Sequence, residues 1–305
     1  MSDVRKTPVA ITTSDWHIRG TVPASRAESD WYEVMDKRIA QVMKLQDELG
    51  GAPVIIAGDV FDNPNPHSEV ARWGINALRH MAEVGPIYAI PGNHDLNYHL
   101  MDNHTKGAYG LASDFGFTNL IPGKWTTIEH AGYKVALWPM PWGYYEVPEK
   151  SVKADAKIAV AHKYMYSSKD KTYVGADEEG AVTGHTAWGK HFDVIAIGDN
   201  HISWRAGKFL NHGSLFSMTS AQKSHEHLLG IVYSDGSLET VTLPEEKQWK
   251  EVYVPPESTS KAEALLAELA ATELDAVAFD DLLDRLEGVL SDGARAELRA
   301  IRQAD

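Results

Sequence analysis

At 305 residues, with 43% hydrophobic and 24% charged residues, the chain has the composition of an ordinary globular protein, long enough for one large α/β domain and a small appendage. It has no cysteine, which excludes disulfides and thiolate-held metals, and no apolar stretch of the ~18–20 residues that a membrane span needs. A formal net charge of -14 argues against a protein that wraps nucleic acid by bulk electrostatics.

The opening "MSDVRKTPVA" has no long apolar core behind its charges, so no secretory leader is expected. Together with the missing cysteines, this makes a cytoplasmic location the expectation. "VAITTSD" (9–15) has the β-branched character of a buried strand. Residues 27–49 read as an amphipathic helix, with Val34, Ile39, Val42, Met43 and Leu45 at helical spacings. "PVIIAGD" (53–59) is a second strand, and a helix follows from Ser68, the expected N-cap, to Val84. "PIYAIPGNHD" (86–95) is a third strand running into a turn. Such alternation predicts a parallel sheet with crossover helices.

"WTTIEHAGYKVALWP" (125–139) predicts a hairpin turning at His-Ala-Gly, and "AKIAVAH" (156–162) and "FDVIAIGD" (192–199) predict two apolar strands. In "LLGIVYSDGSLETVTL" (228–243), Asp235-Gly236 suits a tight primed turn. Residues 1–244 are thus expected to form a mixed β-sandwich with helices outside it. Residues 245–305 form a separate region: Pro255-Pro256 reads as a stiff linker, and Leu282, Leu283, Leu286, Val289 and Leu290 make one apolar stripe. Two or three short helices are expected over 259–303.

Five predicted strands share a feature: each apolar run stops at Asp, Asn or His. They end in "SDWH" (Asp15, His17), "GDVFD" (Asp59, Asp62), "GNHD" (Asn93, His94, Asp95), "VAH" (His162) and "GDNH" (Asp199, His201). Singly, each is an ordinary turn, because Asp and Asn favour turns. Jointly, they exceed what turn preference produces, and in parallel sheets such ends converge on the edge where ligands bind. Oxygen and imidazole donors without thiolate suit Mn²⁺, Fe²⁺, Zn²⁺ or Mg²⁺. Two such ions can clamp a phosphate and stabilise attacking and leaving oxygens together.

Asp-x-His, Gly-Asp-x-x-Asp, Gly-Asn-His-Asp, an isolated His and Gly-x-x-His, in this order from about residue 10 to 216, resemble the calcineurin-like metallophosphoesterase superfamily. The resemblance implies a four-layer α-β-β-α sandwich, here with a short helical C-terminal appendage. Within the superfamily, "IIAGDVFDNPNPHSEVAR", "YAIPGNHD" and "NHGSL" resemble the SbcD-type DNA double-strand-break repair exonucleases. That implies two divalent ions, Mn²⁺ first among them, and DNA as substrate. It further implies an SbcC-type coiled-coil ATPase partner, docked through the C-terminal helices, and pairing with a second copy; packing of the Leu-rich stripe on its own catalytic domain is the competing reading of those helices. A stand-alone phosphoesterase for small molecules or phosphoproteins is the alternative.

Carried over by position, the resemblance has Asp15, His17, Asp59 and His201 hold one ion. Asp59 bridges, and Asn93, His162 and Asp199 hold the second. His94 matches the catalytic histidine beside the leaving oxygen, with Asp95 as its orienting partner, and Asp62 stands behind the ligands; Asp62 and Asp95 as simple turn braces is the competing reading. The family usually has Gly-His-x-His where this chain has Asp199, a carboxylate that adds negative charge and weakens the second ion as a Lewis acid. His212 borders the last motif and is a candidate contact for substrate phosphate. The aromatic stretch "WPMPWGYY" (138–145) and "HKYMYSSKDKTY" (162–173) are candidates for stacking on bases, or else cover the core.

Overall fold

The computed structural model describes residues 6–167, 187–245 and 247–250. In chain order the first half comprises β1 (Pro8–Thr13), α1 (Trp31–Glu48), β2 (Val54–Ala57), α2 (Ser68–Val84), β3 (Ile87–Ile90), α3 (Gly107–Phe115) and β4 (Thr118–Asn119). The second half comprises β5 (Thr126–His130), β6 (Tyr133–Met140), β7 (Ala156–His162), β8 (Val194–Gly198), β9 (Trp204–Ala206), β10 (Phe209–Asn211), β11 (Leu228–Tyr233) and β12 (Leu238–Thr242). No helix among the described residues is long and apolar enough to cross a membrane.

The strands form two six-stranded sheets, ordered β12-β11-β1-β2-β3-β4 and β5-β6-β7-β8-β10-β9. β1 to β4 run parallel in the first sheet, and β6, β7, β8 and β10 in the second. Antiparallel strands close the other edges, β4 being the parallel edge of the first sheet. Period-two alternation explains the layering. Ile55 and Ala57 of β2, Ile158 and Val160 of β7, and Val194 and Ala196 of β8 share one core cluster drawn from both sheets. The alternate residues of β7 and β8, namely Ala159, Ala161, Ile195 and Ile197, join Trp138, Trp188, Phe192 and Trp204 in a second cluster. α2 packs on β3 and α3 on β4. The expected mixed α/β sandwich is what the chain forms, and the expected C-terminal helices lie outside the described residues.

Local chemistry moves several boundaries. α1 starts at Trp31 because the Asp30 carboxylate accepts from the Tyr32 and Glu33 amides at 2.9 and 3.3 Å. Ser68 is the first helical residue of α2 rather than its cap, and the His67 ring takes the capping place. The β11–β12 turn is not a primed one. Only Gly236 is left-handed, and its amide bonds to Tyr233 O at 2.9 Å, as in a type I turn followed by a glycine bulge. β4 and the β9–β10 pair are too short to carry a periodic signal in the sequence.

The described residues divide into two compact units. The larger carries both sheets and every residue of the site below. The smaller takes in Val22–Ser29, Met218–Lys223 and 247–250. Within it, Arg26 pairs with Glu28, and the Glu28 carboxylate also accepts the Gln248 amide at 2.8 Å.

Candidate metal centre

The parallel strands of both sheets deliver their donors to one edge, as the strand-end pattern requires. Asp15 and His17 follow β1, Asp59 follows β2, Asn93 and His94 follow β3, His162 ends β7, and Asp199 and His201 follow β8. Asp15, His17, Asp59 and Asp199 all have left-handed backbones, with φ of 50, 43, 52 and 89°. Such conformations cost about 1–3 kcal/mol each and persist only where surroundings over-determine them. Here they do: the Asp15 amide donates to Gly58 O and the His17 amide to Asp59 O, both at 3.0 Å. The Asp199 amide donates across the sheets to the Asp15 carboxylate at 3.0 Å.

Two glycines make the approach of the loops feasible. A Cβ on Gly92 would lie 2.1 Å from Asp59 Oδ1, and one on Gly58 would lie 2.2 Å from His162 Nδ1. No side chain fits at either place. The Gly-Asp and Gly-Asn-His motifs therefore need glycine for room.

Asp15, His17, Asp59 and His201 offer ligand atoms that all lie within 4.8 Å of one another. His17 Nε2 is 3.0 Å from His201 Nε2 and 3.5 Å from Asp59 Oδ2. The same Asp59 Oδ2 lies 3.4 Å from His162 Nε2, which is 3.0 Å from Asn93 Oδ1. Asp59 thus stands between two donor sets. Asp199 is not in the tight group. Its carboxylate, pushed up chiefly by burial, lies in the field of His162 and Asp59 and takes a main-chain hydrogen bond from Tyr164.

The donors fit a cation on chemical grounds. His162 Nδ1–H donates to Ala57 O at 2.9 Å, which leaves Nε2 as the nitrogen facing two oxygens. Three acceptors cannot face each other without a positive charge among them. Protonation is one answer. Burial opposes it, but Asp59 outweighs burial and holds the His162 imidazole well above its usual pKa. His17 is pushed up to about 9 in the same way: burial lowers it, and Asp62, Asp59 and Asp15 more than reverse this. Asp15 is pushed up to about 7 by burial and by the Asp59 charge. A divalent ion is the other answer to the same field, and every contributing atom is oxygen or imidazole nitrogen.

A family model of calcineurin-like phosphoesterases matches residues 10–203, which span all of these donors. The chain belongs to that family. Among solved structures it is similar to a hypothetical protein from Thermus thermophilus, at 11% identity and a TM-score of 0.44; the match covers 78% of this chain and 99% of that one. As a calcineurin-like phosphoesterase it is a phosphoester hydrolase of a family that uses divalent metal ions.

Two of the expected roles need correction. Asp95 does not orient His94. Its buried carboxylate accepts main-chain N–H groups of Val60, Phe61 and Gly92 at 3.1, 2.9 and 3.0 Å, tying the loop after β2 to the loop after β3. His94 is oriented instead by the main chain: Nδ1 bonds to Asp62 O at 2.9 Å, and its own amide donates to Asp59 Oδ1 at 3.0 Å. The Asp62 carboxylate lies 3.3 Å from His17 Nδ1 and 3.6 Å from the Arg19 guanidinium, so it stands behind His17.

His212 cannot touch a substrate. It is fully buried, its Nδ1–H donates to Ile197 O at 2.9 Å, and its Nε2 accepts from Thr12 Oγ1 at 2.8 Å. Burial pushes it down to about 4. Because the folded pKa lies below the ordinary 6.5, its contribution to stability is complete above pH 6.5 and is lost as pH falls toward 4. The loss amounts to about 3 kcal/mol. Urea unfolding of His212→Gln between pH 7 and 4 is therefore expected to show a shallower fall of stability than the parent; an unchanged slope contradicts this role.

Sequence reasoning missed three supports of the centre. Ser14 Oγ donates to Asp15 Oδ2 at 2.5 Å, Arg19 faces Asp62, and Tyr145 Oη donates to His162 O at 3.0 Å. Ser14 and Arg19 each lie within two residues of a motif donor, which is the only signal they carry. Tyr145 had one in the aromatic stretch after β6.

Proposed function

We propose that this chain is a metal-dependent phosphodiesterase of the SbcD type that cleaves DNA, with Mn²⁺ as its preferred ion. The observation that carries the phosphodiesterase reading is Asp59, buried between two donor sets with His94 bonded to it through the main chain. DNA as substrate is supported by the likeness of "IIAGDVFDNPNPHSEVAR" and "YAIPGNHD" to that group. An SbcC-type ATPase and cytoplasmic residence belong to the same proposal.

Asp15, His17, Asp59 and His201 would hold one ion, and Asp59, Asn93 and His162, with Asp199 beside them, the other. Bound divalent ions supply Lewis-acid stabilisation of phosphoryl charge and activate the attacking water. Asp62 keeps His17 oriented, and the Ala57 carbonyl does so for His162. Nδ1–H donates to the Asp62 carbonyl, so His94 would give the departing oxygen its Nε2 proton from the imidazolium form. Asp199 brings a carboxylate where relatives have imidazole, and so raises the negative charge around the second set.

His94→Asn is expected to lower kcat by about 10²–10⁴-fold while metal content stays at the parent level. Turnover of bis-p-nitrophenyl phosphate and elemental analysis read the two quantities, and a fully active variant removes His94 from the reaction. The substrate is tested with Mn²⁺ on linear duplex, single-stranded and circular DNA beside that small diester. Hydrolysis of the diester without cleavage of any DNA favours the stand-alone phosphoesterase.

A further inference from the structure

We infer that Trp142, together with Tyr98 of the loop whose His99 meets it, is a stacking platform for an unpaired nucleobase next to the scissile phosphate. The inference rests on the nuclease reading and names how that site would hold its strand.

Trp142 stands at the rim of the metal centre. Its ring centroid lies 6.4 Å from that of His162, whose Nε2 faces Asp59, and 6.4 Å from that of His99 on the other loop. The interplanar angles are 62° and 84°, so neither contact is a parallel stack. The indole is partly exposed, and the Trp142 amide bonds to Pro91 O at 3.4 Å, which ties this loop to the one after β3.

The facing loop carries a cost that its own packing does not explain. Tyr98 and His99 are consecutive non-glycine residues with φ of 58 and 53°, and Tyr98 is 89% exposed. A bulky side chain in left-handed backbone is rare, and a fully wet aromatic gains nothing from burial in return. The conformation is nevertheless locked. Asn97 O accepts Asn103 Nδ2 at 2.7 Å, Asn97 Oδ1 accepts Asn65 Nδ2 at 2.5 Å, and the His99 amide bonds to Leu96 O at 3.0 Å. Such strain clusters at ligand clamps, and here it belongs to the loop whose His99 meets Trp142.

The charge beside this rim agrees with a strand. Lys163, adjacent to His162, holds its Nζ 4.6 Å from the Tyr145 ring centroid. Aromatic faces with an adjoining cation are how single strands are gripped without sequence preference, because every base has a π-face.

The test compares kcat/KM on a short single-stranded oligo(dT) with that on the same strand built from abasic tetrahydrofuran units, using the Mn²⁺-loaded full chain. The parent is expected to favour the base-bearing strand by roughly 10-fold or more. Trp142→Leu is expected to bring that ratio close to one and Trp142→Phe to keep most of it. Tyr98→Ser, at a position too exposed to matter for folding, lowers the ratio as well. A preference that survives in Trp142→Leu and Tyr98→Ser overturns the platform, as does equal cleavage of both strands by the parent. Hydrolysis of bis-p-nitrophenyl phosphate with neither strand cut overturns the nuclease reading and the platform together.

Discussion

Asp59→Asn is expected to abolish tight divalent-metal binding and to lower phosphodiester turnover by about three orders of magnitude, or ~4 kcal/mol of transition-state stabilisation. The substitution keeps the shape of the side chain. Its Oδ1 can still accept the His94 amide, now 3.0 Å from the carboxylate, so the loop after β3 has no reason to move. What disappears is the charge. Burial pushes the Asp59 carboxyl up, yet His162 and His17 more than reverse this and hold it far below the ordinary carboxylate range. An amide nitrogen placed toward His17 and His162 would present protons where a cation must sit. Calorimetric Mn²⁺ titration and bis-p-nitrophenyl phosphate turnover read the effect, with circular dichroism to show that the fold persists. Parent-like metal affinity in the variant would mean that Asp59 does not stand between two ion sites.

Asp95→Ala is expected to cause the largest loss of stability, about 3–5 kcal/mol, or roughly 10 °C in melting temperature. One carboxylate satisfies three buried amides from two loops. Deleting it leaves Val60, Phe61 and Gly92 N–H groups with no acceptor, and each orphaned donor costs about 1–3 kcal/mol. Asp95→Asn should be milder, because one oxygen remains while the new NH₂ confronts at least one amide. Turnover should fall in both, because Val60 directly follows Asp59 and Gly92 directly precedes Asn93. Melting of Asp95→Ala at the parent temperature would show that the three bonds are not structural.

These two aspartates show how far the chain's pattern reaches. Both end an apolar strand, and both sit in motifs that name the family. Reading along the chain marks both as candidates for chemistry, with a turn brace as the competing reading for Asp95 alone of the two, and the brace is what the structure shows. Only their neighbours separate them: Asp59 faces imidazoles from β1 and β7, whereas Asp95 faces three peptide N–H groups. His212 teaches the same lesson. It borders the last motif in sequence, yet its ring is spent between Ile197 and Thr12, the latter 200 positions away.

By itself the sequence determined the alternation of strands and helices, the type of donor available and the strand ends that carry it. These follow from local periodicity, from turn chemistry and from the absence of thiols. The tertiary structure decided which sheet each strand joined, and which nitrogen of each histidine faces Asp59. It also decided which carboxylates are held by protons and which by peptide groups. Such choices depend on the field at a buried point, and that field is summed over segments from both sheets. His162 turns Nε2 toward the site because a carbonyl of β2, in the other sheet, takes the proton on Nδ1.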